Sequence, residues 1–251
     1  VNPQPVGPLS PEVRDTVGGG VVVQVAMDEE AAPFLDSCRR IGPDVEFGRA
    51  RYYPLSHEGR SILLVRSGIG LVNAASAATT AIAASEPRAV LSAGSAGGLR
   101  QDVEVGDLAV GDSYTFTDAD ATAFGYERGQ VPGMPVDYAP HGGLLDAARR
   151  LVPEDGTHHV GQMLAGGSFV TQSNVKDTRE AFPHAVTTDM ETTAIAQVCT
   201  SHHVPFLSVR GVSDLCGPAA DQDFHMSVEI VARRSADAVL AVIRATDGVP
   251  A

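Results

Sequence analysis

The feature that most constrains this chain is a recurring unit: a short apolar run that stops abruptly at polar or glycine-rich residues and gives way to a stretch of helical character. The first run, Val21-Val22-Val23-Gln24-Val25-Ala26, is β-branched, has too few polar positions for a strand with one wet face, and feeds directly into acidic residues. Ile62-Leu63-Leu64-Val65, Ala89-Val90-Leu91 and Phe206-Leu207-Ser208-Val209 repeat the pattern. Between them, Val72 to Ala84 is rich in alanine, Ser168 to Phe182 leads into a helix, and Glu191 to His203 carries apolar residues at helical spacing. Ser227 to Arg244 reads as a closing helix. Strands alternating with helices predict an α/β fold, a single domain with a mainly parallel, twisted central sheet flanked by helices. Such sheets bind ligands beyond the carboxyl ends of their strands, so chemistry is expected where strands stop.

A chain of 251 residues with 43% hydrophobic content can bury one sizeable core, and no internal repeat or composition shift after Gly20 marks a second domain. Residues 1–20 hold Pro3, Pro5, Pro8, Pro11 and the run Gly18-Gly19-Gly20, a composition that resists packing, so they are expected to form a flexible leader to a domain over 21–251. Eighteen basic against thirty-one acidic residues give a net charge of −13, which argues against a nucleic-acid partner, because that affinity comes from cations neutralising phosphates. No secretory pattern and no membrane-length apolar run is visible, so a cytoplasmic protein without membrane association is expected. Cys38, Cys199 and Cys216 are too widely spaced for a zinc or disulfide framework and read as buried thiols. The doublets His158-His159 and His202-His203 read as solvated surface, and no metal or cofactor is expected.

Three strand ends carry unusual residues. Asp28, Glu29 and Glu30 open a helix, where acids favour the positive end of the macrodipole; that accounts for Asp28 and Glu29 but leaves open a role for one inward-facing member. Ser92-Ala93-Gly94-Ser95-Ala96-Gly97-Gly98 reads as a glycine-rich turn after the strand ending at Leu91, with Ser67-Gly68-Ile69-Gly70 as a related turn. Neither fits the dinucleotide or P-loop glycine pattern, which sets nicotinamide and ATP chemistry aside. Thr188-Asp189-Met190-Glu191 and Val209-Arg210-Gly211-Val212-Ser213-Asp214 add further carboxyl groups, so that several acids compete for one pocket.

Taken in order, Ala26 to Glu30, Ser67 to Gly70, Gly94 to Gly98, Asp118 to Tyr126, Asp189-Met190-Glu191 and Val212-Ser213-Asp214 resemble the bacterial 5′-methylthioadenosine/S-adenosylhomocysteine nucleosidases from about Val21 to the C-terminal helix. The resemblance implies a nucleoside phosphorylase-type domain, a homodimer, that releases adenine from a 5′-thio-substituted ribose with water. It matches Glu30 to the acid that activates the water, Asp214 to the acid serving purine N7, and Glu191 to the carboxylate holding the ribose hydroxyls. Ser95 and Arg210 match residues around the water and sugar, Met190 one that packs on the sugar, and Phe169 and Val170 those that hold the base. Met27 and Phe224 are expected to line the pocket, with Ala96, Gly97 and Ser213 among the substrate-binding positions. Ala121, Phe124 and Pro132 match positions that reach into the neighbouring subunit's site and cover the 5′ substituent. Tyr52 falls near a position where the family often has an aliphatic side chain against the alkylthio group; Ala121 is smaller than the usual valine, and Cys216 to Ala220 is richer in small residues.

These residue types suit the reaction. Breaking an N-glycosidic bond leaves electron density on the purine and positive charge on the ribose, so an enclosed, protonated Asp214 and an ionised Glu30 would take opposite parts, as the acid and base of an inverting glycosidase do. A phosphorylase of the same fold would need cations where Glu30 and Ser92 stand, and a nucleoside-binding protein without turnover would need neither acid. Hydrolases specific for aminofutalosine, futalosine or 5′-deoxyadenosine are the alternatives within the family, separated by a few side chains at the 5′ end.

Overall fold

The computed structural model describes residues 11–150 and 158–246. A short helix, α1 (Pro11–Val17), precedes β1 (Val21–Val25) and α2 (Asp28–Ser37). A strand-rich edge follows: β2 (Arg39–Arg40), β3 (Val45–Phe47), β4 (Ala50–His57) and β5 (Arg60–Arg66). Then come α3 (Leu71–Ser85), β6 (Ala89–Gly98), β7 (Leu108–Phe116), a 3-10 turn (Thr122–Phe124), α4 (Gly142–Arg149) and β8 (His158–Ala165). The chain closes with α5 (Val175–Ala181), β9 (Thr187–Asp189), α6 (Thr192–Ser201), β10 (Phe206–Asp214) and α7 (Ala220–Ala245).

All five residues of β1 are buried, because the strand lies inside the sheet with β5 and β6 parallel on its two edges and apolar layers on both faces. On one face α3 packs through Ala74, Ala77, Ala78 and Ala81, small side chains that bring the helix close to β1, β5 and α6. The other face is covered by α2 and α7, with Phe34, Val239, Val242 and Ile243 fully buried.

The sheet is mixed rather than mainly parallel: among the described residues, parallel and antiparallel strand pairings occur in equal number. β4 and β5 are joined by the two residues Glu58 and Gly59, a connection too short for anything but an antiparallel pair. Five strands, β6, β10, β7, β8 and β9, also close on one another into a barrel, from which β1, β5, β4 and β2 extend as an open sheet.

Three further expectations are corrected. The leader is in part structured: residues 1–10 lie outside the described residues, but 11–17 form α1, whose Val17 is only 1% exposed in the main core. The supposed glycine turn at 92–98 is strand, since β6 runs on through Gly98, laddered to β10 on one edge and meeting β9 at its end. His158 and His159 open β8, and His159 is buried, with its Nε2 2.7 Å from Asp107 Oδ2 and its Nδ1 2.9 Å from Arg100 Nη2. His202 and His203 are exposed at the end of α6, as expected. Cys38, Cys199 and Cys216 are all free and buried. Among the described residues no helix is long and apolar enough to cross a membrane.

Candidate active site

The two edges of β6 are occupied differently. β10 ladders along one edge from Val90 to Gly97, whereas on the other β1 pairs only as far as Ser92 and β9 joins only at Gly97. Between those two partners the sheet is split, and the split is where side chains from α2, β6, β9, β10, α7 and the connections between elements meet. A cavity of about 260 Å³ opens there.

Glu30 fills the split. It is the third residue of α2, turned inward and 2% exposed, while Asp28 and Glu29 face solvent. Its Oε1 accepts from the backbone N–H of Ser95 at 2.8 Å and from Ser95 Oγ at 2.9 Å. Its Oε2 accepts from the N–H of Ala26 at 2.8 Å and of Met27 at 3.2 Å. Four donors converging on two oxygens match an acceptor-only carboxylate. Gly94 makes room for it: a Cβ there would lie 2.4 Å from Glu30 Oε1, and its φ of +134° is one that glycine alone adopts easily.

Asp214, the last residue of β10, stands beside Gly97 in the parallel ladder and is 1% exposed. Its Oδ1 accepts from the N–H of Cys216 and its Oδ2 from Ser213 Oγ, both at 2.9 Å. Burial raises its pKa above the ordinary aspartate value, more than these bonds lower it. Gly97 again is the gap, since a Cβ there would sit 2.6 Å from Cys216 Sγ and 3.1 Å from Asp214 Oδ1. Cys216 takes a left-handed backbone, φ 55°, that aims its N–H at the carboxylate, and burial pushes its thiol up to about 12. Glu30 is anchored at Ser95 and Asp214 at Gly97, positions two apart on one face of β6, or about 7 Å along the strand.

A buried cluster joins the two sides. Glu191, 4% exposed, takes the N–H of Gly70 on Oε1 at 2.8 Å, and its Oε2 is 3.6 Å from Arg210 Nη1. Burial, with Asp189 and Glu30 adding to it, pushes its pKa up to about 7 against the pull of Arg210 and the Gly70 N–H. Arg210, 1% exposed, spends its donors on protein: Nη1 on Ser95 O at 2.9 Å, Nη2 on Ser92 Oγ at 2.9 Å, and Nε on Thr192 Oγ1 at 3.0 Å beside Asp189 Oδ2 at 3.2 Å. Burial works against that charge, and Asp189, Glu191 and Glu30 more than restore it.

All the residues expected within one subunit line the cavity: Glu30, Asp214, Met27, Ser95, Ala96, Gly97, Phe169, Val170, Met190, Glu191, Arg210, Ser213 and Phe224. Phe169 and Phe224 meet edge to face at its mouth, with ring centroids 6.0 Å apart. Ala121, Phe124 and Pro132 do not line it; they lie on a separate surface segment where Phe124 is 84% exposed. Tyr52 does not line it either. It is buried between β4 and α3, and Thr80 supplies the partner its hydroxyl requires.

Sequence reasoning passed over Asp189 as a site residue. Its Oδ1 accepts the N–H groups of Glu191 and Thr192 at 2.8 and 2.7 Å and its Oδ2 the hydroxyl of Thr192 at 2.5 Å, so it caps α6 and fixes the turn that presents Glu191. An Asp just ahead of an apolar-periodic helix is a capping signal that could have found it. Thr188, Ile69, Asp221 and His225 also line the cavity without having been expected as substrate-binding positions, and so does Cys216, from the small-residue stretch noted in the sequence.

Residues 21–245 match the family model described as the phosphorylase superfamily. The chain is 36% identical over 220 residues to the 5′-methylthioadenosine/S-adenosylhomocysteine nucleosidase of Staphylococcus aureus, covering 87% of this chain and 96% of that protein. Among solved structures it is similar to the nucleosidase of the same name from Neisseria meningitidis in complex with methylthio-immucillin-A, with a TM-score of 0.86 and 35% identity over 91% of this chain and 99% of that one. The corresponding nucleosidase of Colwellia psychrerythraea 34H, in complex with adenine, gives a TM-score of 0.86 and 30% identity over 90% and 94% of the two chains. By sequence and by fold, the chain belongs to the phosphorylase superfamily, among the 5′-methylthioadenosine/S-adenosylhomocysteine nucleosidases.

Proposed function

We propose that this chain hydrolyses the N-glycosidic bond of 5′-methylthioadenosine and S-adenosylhomocysteine, releasing adenine and the 5′-thioribose. The observation that carries the reading is the contrast between two carboxyl groups on one cavity: Asp214 with its pKa raised by burial, and Glu30 held as an acceptor by four donors. Asp214 gives its proton to purine N7 as the bond from N9 to the anomeric carbon breaks, so the electron pair leaves on a neutral heterocycle. Water adds to the anomeric carbon and passes a proton to Glu30; Glu30 then releases that proton to solvent as Asp214 recovers one from it. Glu191 accepts from the ribose hydroxyls, with Met190 beside it against the sugar, while Phe169 and Val170 hold the base.

Hydrolysis is favoured over phosphorolysis by the state of Arg210. Its guanidinium is committed to Ser92, Ser95 and Thr192 and lies among Glu30, Asp189 and Glu191, so a phosphate dianion would meet three carboxyl groups around one spent cation. Adenine release from purified protein tests the reading, run with methylthioadenosine, adenosylhomocysteine, 5′-deoxyadenosine and aminofutalosine, with and without phosphate. Adenine from the two thio-nucleosides, at a rate indifferent to phosphate, is the expected result; a phosphate requirement overturns it.

The working unit is a homodimer in the cytoplasm. Phe124, 84% exposed on a turn held by Asp120 and Arg128, together with Val72 at 82% and the cavity-lining Ile69 at 51%, supports a second copy that brings Ala121, Phe124 and Pro132 over the 5′ substituent. The free, buried cysteines suit a reducing compartment.

A further inference from the structure

Thr188 lines the cavity, is only 5% exposed, and its Oγ1 is sealed from solvent with no hydrogen-bond partner among the described residues. A buried hydroxyl left unpaired is unfavourable for the empty protein, and a valine of nearly the same shape would avoid that cost. Its position says what it faces. In the sheet, Thr188 of β9 lies directly opposite Gly97 of β6, and Gly97 in turn lies opposite Asp214 of β10. Residues side by side in a ladder point to one face, and the vacant Cβ position of Gly97 is 3.1 Å from Asp214 Oδ1. Thr188 and the acid therefore flank the same gap from two sides, at the leaving-group end of the cavity and away from Ser95, where Glu30 is anchored. Rotation about the Cα–Cβ bond of Thr188 exchanges its methyl and hydroxyl groups without moving the strand.

We infer that Thr188 is a further substrate-contacting residue, whose hydroxyl donates a hydrogen bond to a ring nitrogen of the departing heterocycle. The inference rests on the nucleosidase reading above and deepens it. It makes the unpaired hydroxyl a group that binding completes: a purine satisfies it, and a ligand with carbon at that ring position leaves it unpaired.

The test is Thr188→Val, with Thr188→Ser as the conservative variant, read by thermal unfolding, by calorimetric binding of adenine, and by kcat/KM for methylthioadenosine. Thr188→Val is expected to unfold at the same or a higher temperature than the wild type, yet to bind adenine about tenfold more weakly and to lose about tenfold in kcat/KM. Thr188→Ser restores most of both losses. A merely structural hydroxyl would give the opposite pairing, a lower unfolding temperature with unchanged adenine affinity, and that result overturns the inference. An indifferent Thr188→Val beside a normal wild type overturns this contact alone. A wild type that neither binds nor releases adenine overturns the nucleosidase reading and the contact with it.

Discussion

Gly94→Ala tests the geometry of Glu30, the carboxylate proposed to activate water, without touching a titratable group. The added methyl would lie 2.4 Å from Glu30 Oε1, 2.6 Å from its Cδ and 2.9 Å from Oε2, so the carboxyl group must swing away. In doing so it surrenders at least the two bonds from Ser95 to Oε1. Hydrogen bonds to a charged group contribute roughly 1.5 to 3 kcal/mol each, and a non-glycine residue in a sparsely populated backbone region costs about 2 kcal/mol more. The expected loss of stability is therefore about 5 to 8 kcal/mol, a large part of the total for a domain of this kind. Misplacing a general base removes about 10² to 10⁴ in kcat. The assay is adenine release at a temperature where thermal unfolding shows the variant folded, run in four proteins: wild type, Gly94→Ala, Glu30→Gln and the double variant. If Gly94 acts by making room for Glu30, adding Gly94→Ala to Glu30→Gln lowers kcat by less than threefold, while each single change costs most of the activity. A Gly94→Ala enzyme with near-normal kcat, or a double variant in which the two losses multiply, refutes the reasoning.

Asp214→Asn is expected to lose about 10² to 10⁴ in kcat with little change in KM, since the amide has no proton to give; near-normal turnover rejects its role. Because burial raises the pKa of Asp214, kcat falls as pH rises through that value, and a pH profile with no basic limb would contradict the assignment. Glu191 is pushed up to about 7, so below that pH it is protonated and a poorer acceptor; KM for nucleoside should fall as pH rises through about 7, and Glu191→Gln should flatten the change. The sign for stability is the reverse: a carboxyl whose folded pKa is raised favours the fold below its unfolded value, near 4.5, and that contribution fades as pH climbs to about 7, a trend that urea midpoints across the window would reveal. Tyr52→Phe should lower stability by about 1 kcal/mol through loss of the Thr80 bond and leave the ranking of 5′-substituted nucleosides unchanged, whereas an altered ranking would place Tyr52 at the substrate.

Much of the site was legible because its chemistry lies where apolar runs end. Glu30, Glu191 and Asp214 each follow a short buried strand, and their order along the chain carried the family resemblance. What the pattern hid was how far strands continue past their apolar residues. Ser92 to Gly98 lacks large side chains, so propensity reads it as a turn, but its backbone ladders to β10 along one edge, and Gly94 and Gly97 are there because Glu30, Asp214 and Cys216 occupy the space beside them. The antiparallel edge was foreshadowed by Glu58-Gly59, a two-residue hairpin signal between Ala50–His57 and Arg60–Arg66, but closure of five strands into a barrel depends on pairings between distant segments that no local pattern encodes. His158 and His159 look like surface in sequence and become strand because Asp107 and Arg100, far away in the chain, satisfy the imidazole of His159. Tyr52 could be aligned to a ligand position by sequence, yet its ring was claimed by the alanine face of α3.

The parting of β1 and β9 along one edge of β6 leaves the amide of Ser95 with a side chain for a partner instead of a strand, and that side chain is Glu30. The same carboxylate thus serves as mortar for the masonry and, in the proposed reaction, as reagent. Drift at this position is penalised twice over, so a descendant of this lineage that abandoned catalysis while keeping its architecture would still be under pressure to retain an acid there, and the mere presence of that acid in a sequence is weaker testimony to turnover than that of Asp214.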